Sequence, residues 1–313
     1  MAAHGSKLVV IKALAANLGI ATIKFIVAFL SGSAAMLAEA VHSLADSGNQ
    51  VLLIVGLNRS QRAEDARHEF GYGSEGYFWA FIVAISLFTM GATFSIYEGV
   101  EKIIHRGEAK GNPLWAYIVI GASLALESFS LKSAYDEFDK FRAGRPLRRA
   151  LDEIRDASVI VVLFEDSADI AGLVIAGLGI MLANLTGDPL WDGVASIAVG
   201  VLLAGVATFV AMRTKALLVG EAVTPSERAK IIELTNSSPG VRKLIHLRTL
   251  HLGPEDVICA MKVAFDDETT AAQITEYVDG IEERLRTEIA HLSRIYIEVG
   301  SVAEPNRPQG PRS

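Results

Sequence analysis

Ala38-Glu39-Ala40-Val41-His42-Ser43-Leu44-Ala45-Asp46-Ser47-Gly48-Asn49-Gln50 is the stretch on which the fold turns. It lies inside an apolar run, yet it sets His42 and Asp46 four residues apart, one turn along a helix. A charged side chain at the centre of a bilayer costs roughly 3 kcal/mol or more, so it is rare there without a partner or a task. A second apolar run carries Glu165, Asp166 and Asp169. One imidazole and several carboxylates inside lipid-spanning helices point to a path for a divalent cation.

Around these stretches the chain reads as a membrane protein. It has 313 residues, 51% of them hydrophobic. Six apolar runs, at 8–30, 34–57, 77–97, 114–134, 157–185 and 190–212, are each long enough to cross a hydrocarbon core of about 30 Å. Gly and Ala recur within them, as close helix packing in lipid requires. Basic residues set the orientation. Arg59, Arg62 and Arg67 follow the second run, and Lys140, Arg142, Arg145, Arg148, Arg149 and Arg155 follow the fourth. Arg213 and Lys215 follow the sixth, whereas the opposite side offers Lys102, Arg106 and Lys110. The positive-inside rule then puts both termini in the cytoplasm. The first six residues lack a small-residue cleavage pattern and are expected to start a mature chain.

After Lys215 the pattern becomes that of a small α+β domain. Thr224-Pro225-Ser226-Glu227 is a capping box with Pro at the first helical position. Residues 241–251 and 257–265 alternate as strands, Thr270-Ala271-Ala272-Gln273 caps a second helix, and 294–299 forms a last strand. The expected organisation is a six-helix transmembrane domain over 1–213, a cytoplasmic αββαβ (ferredoxin-like) domain over 214–300, and a disordered tail over 301–313. The net charge of −7 is mild and much of the acidity lies in this polar part, so nucleic acid is not an expected partner. Cys259 is the single cysteine and cannot build a thiolate metal site alone.

On helices, His42 and Asp46 present an imidazole nitrogen and a carboxylate oxygen to one ion, and Asn49 continues their face. Glu165 and Asp169 are spaced i,i+4, and Asp166 and Asp169 are spaced i,i+3. Two such helices supply a four-coordinate N/O set that suits zinc. A structural hydrogen-bond network between helices is the alternative. Lys24, Glu127, Asn17 and Asp192 are assigned structural roles: pairing across helices or snorkelling for Lys24 and Glu127, a bond to a neighbouring helix for Asn17, and a helix cap for Asp192.

The second run, together with His68-Glu69-Phe70-Gly71-Tyr72-Gly73 and Tyr77-Phe78-Trp79, resembles the cation diffusion facilitator family of zinc-type exporters. Leu163-Phe164-Glu165-Asp166-Ser167-Ala168 and the basic linker before it resemble the ZnT9-like branch. The resemblance implies six spans, a cytoplasmic αββαβ domain, a homodimer in a lipid bilayer, and metal ligands at His42, Asp46 and Asp166. The second His of the family's usual pattern falls on Val162, so either Glu165 or Asp169 substitutes for it, or the site has three protein ligands and a water. An oxygen-rich site admits Mn²⁺ or Fe²⁺ beside Zn²⁺. Asp65 and His68 match two positions of a loop metal site, with Tyr72 where a His is expected. His246 matches a ligand position of the cytoplasmic domain, where Met261 and Glu298 replace His and His251 is extra. The implied activity is proton-coupled export of a divalent cation by alternating access, from a bacterial inner membrane. Zn²⁺ is the substrate, protons are the counter-ion, and no cofactor is required. A cation channel, an intramembrane metalloenzyme and a metal sensor or scaffold are the rivals.

Overall fold

A computed structural model of the chain describes residues 2–31, 34–105 and 113–301; the side chains at 2–4, 31, 34–36, 38, 39, 42, 45 and 113 lie outside that description. The expected disordered tail from 302, and Arg106 and Lys110, are outside it as well. The chain divides into two units, one ending at Leu218 and the other starting at Val219.

The first unit is helical. Its long elements are α1 (Ala2–Ser31), α2 (Ala34–Ser60), α3 (Ser74–Ser86) continued by α4 (Thr93–Ile104), α5 (Pro113–Arg142), α7 (Ala157–Thr186) and α8 (Leu190–Val219). Among the described residues, four stretches are long and apolar enough to cross a membrane: Gly5–Leu30, Ser74–Ile104, Leu114–Arg142 and Leu190–Val219. The two long helices that miss this standard are α2 and α7, with 27 and 30 residues. They have the length but carry Asp46, Glu165, Asp166 and Asp169.

α1 packs on α2 and α5, α2 on α3, and α5 on α7. Tyr77, Leu53, Phe138 and Ile160 form the centre of this core, and Val162 is fully buried within it. Asp156 starts α7 by accepting from the backbone N–H of Ser158 and Val159 at 3.0 and 3.2 Å. Gly187, in the left-handed region at φ 72°, ends it.

Three features depart from the sequence reading. The expected single helix at 77–97 is interrupted by a π-helical segment, Leu87–Ala92, where the backbone N–H of Thr93 reaches back to Phe88 O. The basic linker contains a short helix, α6 (Leu147–Glu153). There Arg145 and Arg149 pair with Glu153 at 2.9 and 2.8 Å, and Arg213 of α8 donates to the Asp152 and Ile154 carbonyls. Asp192, expected to cap α8, instead pairs with Lys102 of α4 at 3.1 Å; Asp188 accepts from the Leu190 N–H and does the capping.

α4 and α8 meet backbone to backbone. A Cβ on Gly99 would lie 2.7 Å from Gly193 O, one on Gly193 2.9 Å from Gly99 O, and one on Gly200 2.9 Å from Ala92 O. Only glycine allows this approach, as in other small-residue contacts between membrane helices.

The second unit has the expected αββαβ order: α9 (Pro225–Asn236), β1 (Val241–Gly253), β2 (Asp256–Phe265), α10 (Ala271–Glu288) and β3 (Leu292–Val299). The sheet order is β1-β2-β3, with β1 antiparallel and β3 parallel to the central β2. Both capping boxes form, at Thr224/Glu227 and Thr270/Gln273. Ile231 of α9 and Ile281 and Leu285 of α10 cover Val257, Cys259, Met261 and Val263 of β2. Burial pushes the Cys259 thiol up to about 12, so it is a core side chain and no metal ligand.

Glu227 makes this unit sensitive to acid. Burial alone would raise its carboxyl pKa, but hydrogen bonds from His291 and Thr224 outweigh that and hold it at about 2. His291 Nε2 lies 3.1 Å from Glu227 Oε1. The folded pKa is below the unfolded one, so the stabilisation is complete above about pH 4.5 and is lost as pH falls toward 2. A thermal-midpoint series from pH 7 to 3 is expected to fall less steeply for Glu227→Gln than for wild type; parallel slopes would remove this assignment.

Candidate metal centre

Glu127 of α5 and Asp166 and Asp169 of α7 bring one carboxylate oxygen each within 4.8 Å of the others. Glu127 is 4% and Asp166 0% exposed. Among the described residues, neither oxygen of Asp166 accepts a hydrogen bond, and Glu127 Oε2 has none. Buried carboxylates without donors are strongly unfavourable unless protonated or paired with a cation. A tetrahedral zinc with bonds of about 2.1 Å needs ligand atoms about 3.4 Å apart, a little closer than the 4.8 Å within which these oxygens lie.

Beside the three acids lies a cavity of about 180 Å³, lined by Asp46, Glu127, Asp169, Lys24, Ser43 and Asn17 among others. At about 30 Å³ per water, it has room for an ion and several waters. α2 and α7 place Asp46 and Asp169 on the cavity from opposite elements, and the carboxylates of Asp46, Glu165, Asp166 and Asp169 all lie within electrostatic reach of Glu127. His42 is on α2 one turn before Asp46, and its side chain lies outside the described residues.

Glu165 is held differently. Asn49 Nδ2 donates to its Oε1 at 3.1 Å, and Gln50 Nε2 to its Oε2 at 3.0 Å. Both oxygens are thus occupied by amides of α2, and Glu165 is not one of the three clustered carboxylates. Asn49, a candidate ligand by its spacing, is engaged in this same tie.

Glu127, assigned a structural role from the sequence, is the member of this acidic cluster that the candidate-ligand spacings did not include. A signal was present: Ser123, Glu127 and Ser130 repeat at helical spacing along an apolar run, a polar stripe on one face of α5. Ser123 lines the cavity with Glu127.

The loop candidates form a self-contained turn. Asp65 accepts from the backbone N–H of Arg67 and His68, both at 2.9 Å, and from the Tyr72 hydroxyl at 2.7 Å. These bonds, that of Tyr72 foremost, hold its carboxyl at about 2. His68 packs on the Tyr72 ring, with centroids 4.3 Å apart. In the second unit, His246 is an exposed residue of β1 opposite Lys262, and Lys262 pairs with Glu298 at 3.1 Å. Among the described residues, no group of three ligand atoms forms around His246, Asp65 or His68.

Comparisons with known proteins bear on both units. The model of the cation efflux transmembrane domain matches residues 10–219, and that of the cation efflux protein cytoplasmic domain matches residues 223–301. The chain is 34% identical over 251 residues to "Proton-coupled zinc antiporter SLC30A9, mitochondrial" of Xenopus laevis, covering 80% of this chain and 45% of that protein. It is also 34% identical over 251 residues to "Metal tolerance protein C4" of Arabidopsis thaliana, covering 80% and 55%. The chain thus spans about half the length of these curated relatives. A solved structure of a MamM C-terminal domain, residues 215–293, matches with 25% identity and a TM-score of 0.23, covering 24% of this chain and 95% of that one.

Proposed function

Since the chain belongs to the cation efflux family, an integral-membrane family, we propose that it exchanges Zn²⁺ for protons by alternating access around the acidic cavity of its helical unit. The observation that carries this reading is the cluster of Glu127, Asp166 and Asp169, in which both Asp166 oxygens and Glu127 Oε2 are buried without a hydrogen bond among the described residues, beside a cavity that Asp46 shares. The zinc antiporter among its relatives supports the choice of ion and counter-ion.

In this reading Asp46, Asp166 and Asp169 bind the ion, and His42 adds the nitrogen ligand from the turn before Asp46. Asp169, not Glu165, completes the set, because both Glu165 oxygens already accept amide protons. Glu165 is a positioning residue that ties α7 to α2. Metal ligands must be deprotonated, so cation and protons exclude each other from the same oxygens. Entry of the ion from the cytoplasmic side releases protons, and protons arriving from the other side evict the ion. Helices that rock around this fixed site convert that competition into exchange. The protein works as a homodimer with both termini cytoplasmic, in keeping with its basic loops and its match to the family's cytoplasmic domain.

A second reading, Mn²⁺ or Fe²⁺ as the cargo, is favoured by one observation: Glu127 adds a further oxygen to a donor set with a single imidazole, which makes the site harder. The test reconstitutes the full chain into proteoliposomes with a pH-sensitive dye inside and offers Zn²⁺, Mn²⁺ or Fe²⁺ in turn. The expected result is proton movement at a fixed ratio to Zn²⁺ taken up. Zinc flux without proton counter-flow would replace the antiporter with a channel, and coupling to Mn²⁺ alone would replace the ion.

A further inference from the structure

The cavity contains a cation of its own. Lys24 of α1 is 9% exposed, and its Nζ donates to Ser43 Oγ of α2 at 2.7 Å. Ser43 stands three residues before Asp46, on the same face of α2. Lys24 and Ser43 both line the cavity with Asp46, Glu127 and Asp169, and Asp169 lies within electrostatic reach of the ammonium. We propose that Lys24 is a tethered cation that shares the acidic cavity and competes with the transported ion for it. This inference rests on the cavity being the transport site.

Two costs meet at this point. An ammonium removed from water is unfavourable without anions, and several carboxylates in one cavity are unfavourable without cations. Together they offset each other while no metal is bound. The lysine ammonium is a compact charge on a flexible four-carbon stem, so it can withdraw when a divalent ion arrives and return when the ion leaves. The site therefore binds its ion more weakly than its donor set alone would dictate, and releases it faster. The bond to Ser43 asks only for a donor, and a neutral amide supplies one. Lys24→Gln thus separates the charge from the hydrogen bond that joins α1 to α2.

The test titrates Zn²⁺ into detergent-purified full chain by calorimetry at fixed pH, for wild type, Lys24→Gln, Lys24→Met, Lys24→Arg and Asp169→Asn. Removing one repelling charge from the cavity is expected to lower the Zn²⁺ Kd at least about tenfold in Lys24→Gln. Lys24→Met, which fills the volume without charge or donor, gives the same direction if Lys24→Gln does not fold. Lys24→Arg restores the charge and returns the Kd toward wild type. In proteoliposomes Lys24→Gln lowers KM and turnover together, which a merely structural tie would not do. A Kd equal to or weaker than wild type in both neutral variants, with wild-type binding lost in Asp169→Asn, overturns this inference alone. A wild type that binds no Zn²⁺, or an Asp169→Asn protein that binds as well as wild type, overturns the site and the inference together.

Discussion

Zinc offered to proteoliposomes carrying Asp169→Asn protein is expected to move no protons. Asparagine keeps the shape of the side chain and removes its charge. Taking one partner from a buried ion contact costs roughly 3–5 kcal/mol, about a hundredfold to a few thousandfold in affinity. Transport at submillimolar zinc then falls below detection. The apo protein is affected in the opposite direction. Asp169 lies within 4.8 Å of Glu127 and Asp166 through its carboxylate oxygens, so losing its charge relieves repulsion among acids. The thermal midpoint without metal is therefore not lowered, while the midpoint shift on adding Zn²⁺ disappears. Full transport by Asp169→Asn, or a collapse of the metal-free midpoint, would remove Asp169 from the site. Glu165→Gln tests the contrast, because that carboxylate is already bonded to Asn49 and Gln50. Its expected effect is loss of midpoint with zinc binding retained.

Gly200→Leu is expected to separate α4 from α8. A Cβ there would sit 2.5 Å from Ile96 Cγ1 and 2.9 Å from both Ala92 O and Ile96 N. The last two are backbone atoms, so no rotamer change relieves the clash. Overpacking in a close-packed interior costs roughly 1–3 kcal/mol, and a rigid backbone contact belongs at the upper end. The contact takes in Ala92, the last residue of the π-helical segment Leu87–Ala92, and Ile96, and Ser95, next to Ile96, lines the acidic cavity. The variant is expected to lose both thermal stability in detergent and transport rate. Gly205→Ala on the same helix, where a Cβ meets nothing within 4 Å, is the matched control. Equal midpoints for Gly200→Leu and Gly205→Ala would show that α4 and α8 do not meet as described.

Much of the architecture was legible because periodic apolar patterns and caps are local. α2, α5, α7 and α8 begin within a residue or so of the expected runs, and α1 starts earlier than its run. The αββαβ order of the second unit followed from two capping boxes and alternating strand patterns. What failed were features with no local signature. The π-helical segment Leu87–Ala92 interrupts an unbroken apolar run, and α6 is held by ion pairs to Glu153 that spacing alone did not reveal. Asp192 read as a cap because it stands in a first turn, but Lys102 from another helix claims it.

The sequence by itself determined that one imidazole and several carboxylates stand inside apolar runs, where desolvation makes a charged group costly, because that cost is a property of residue type and apolar context. It also determined which of them share a helix face, because 3.6 residues per turn is a local rule. Only the tertiary structure decided which faces meet. It gave Glu165 to two amides of α2, left Asp166 without donors among the described residues, and brought Glu127 and Lys24 from helices far apart in sequence to the same cavity. Such neighbours depend on how helices pack, and a pattern along one helix carries no record of what faces it.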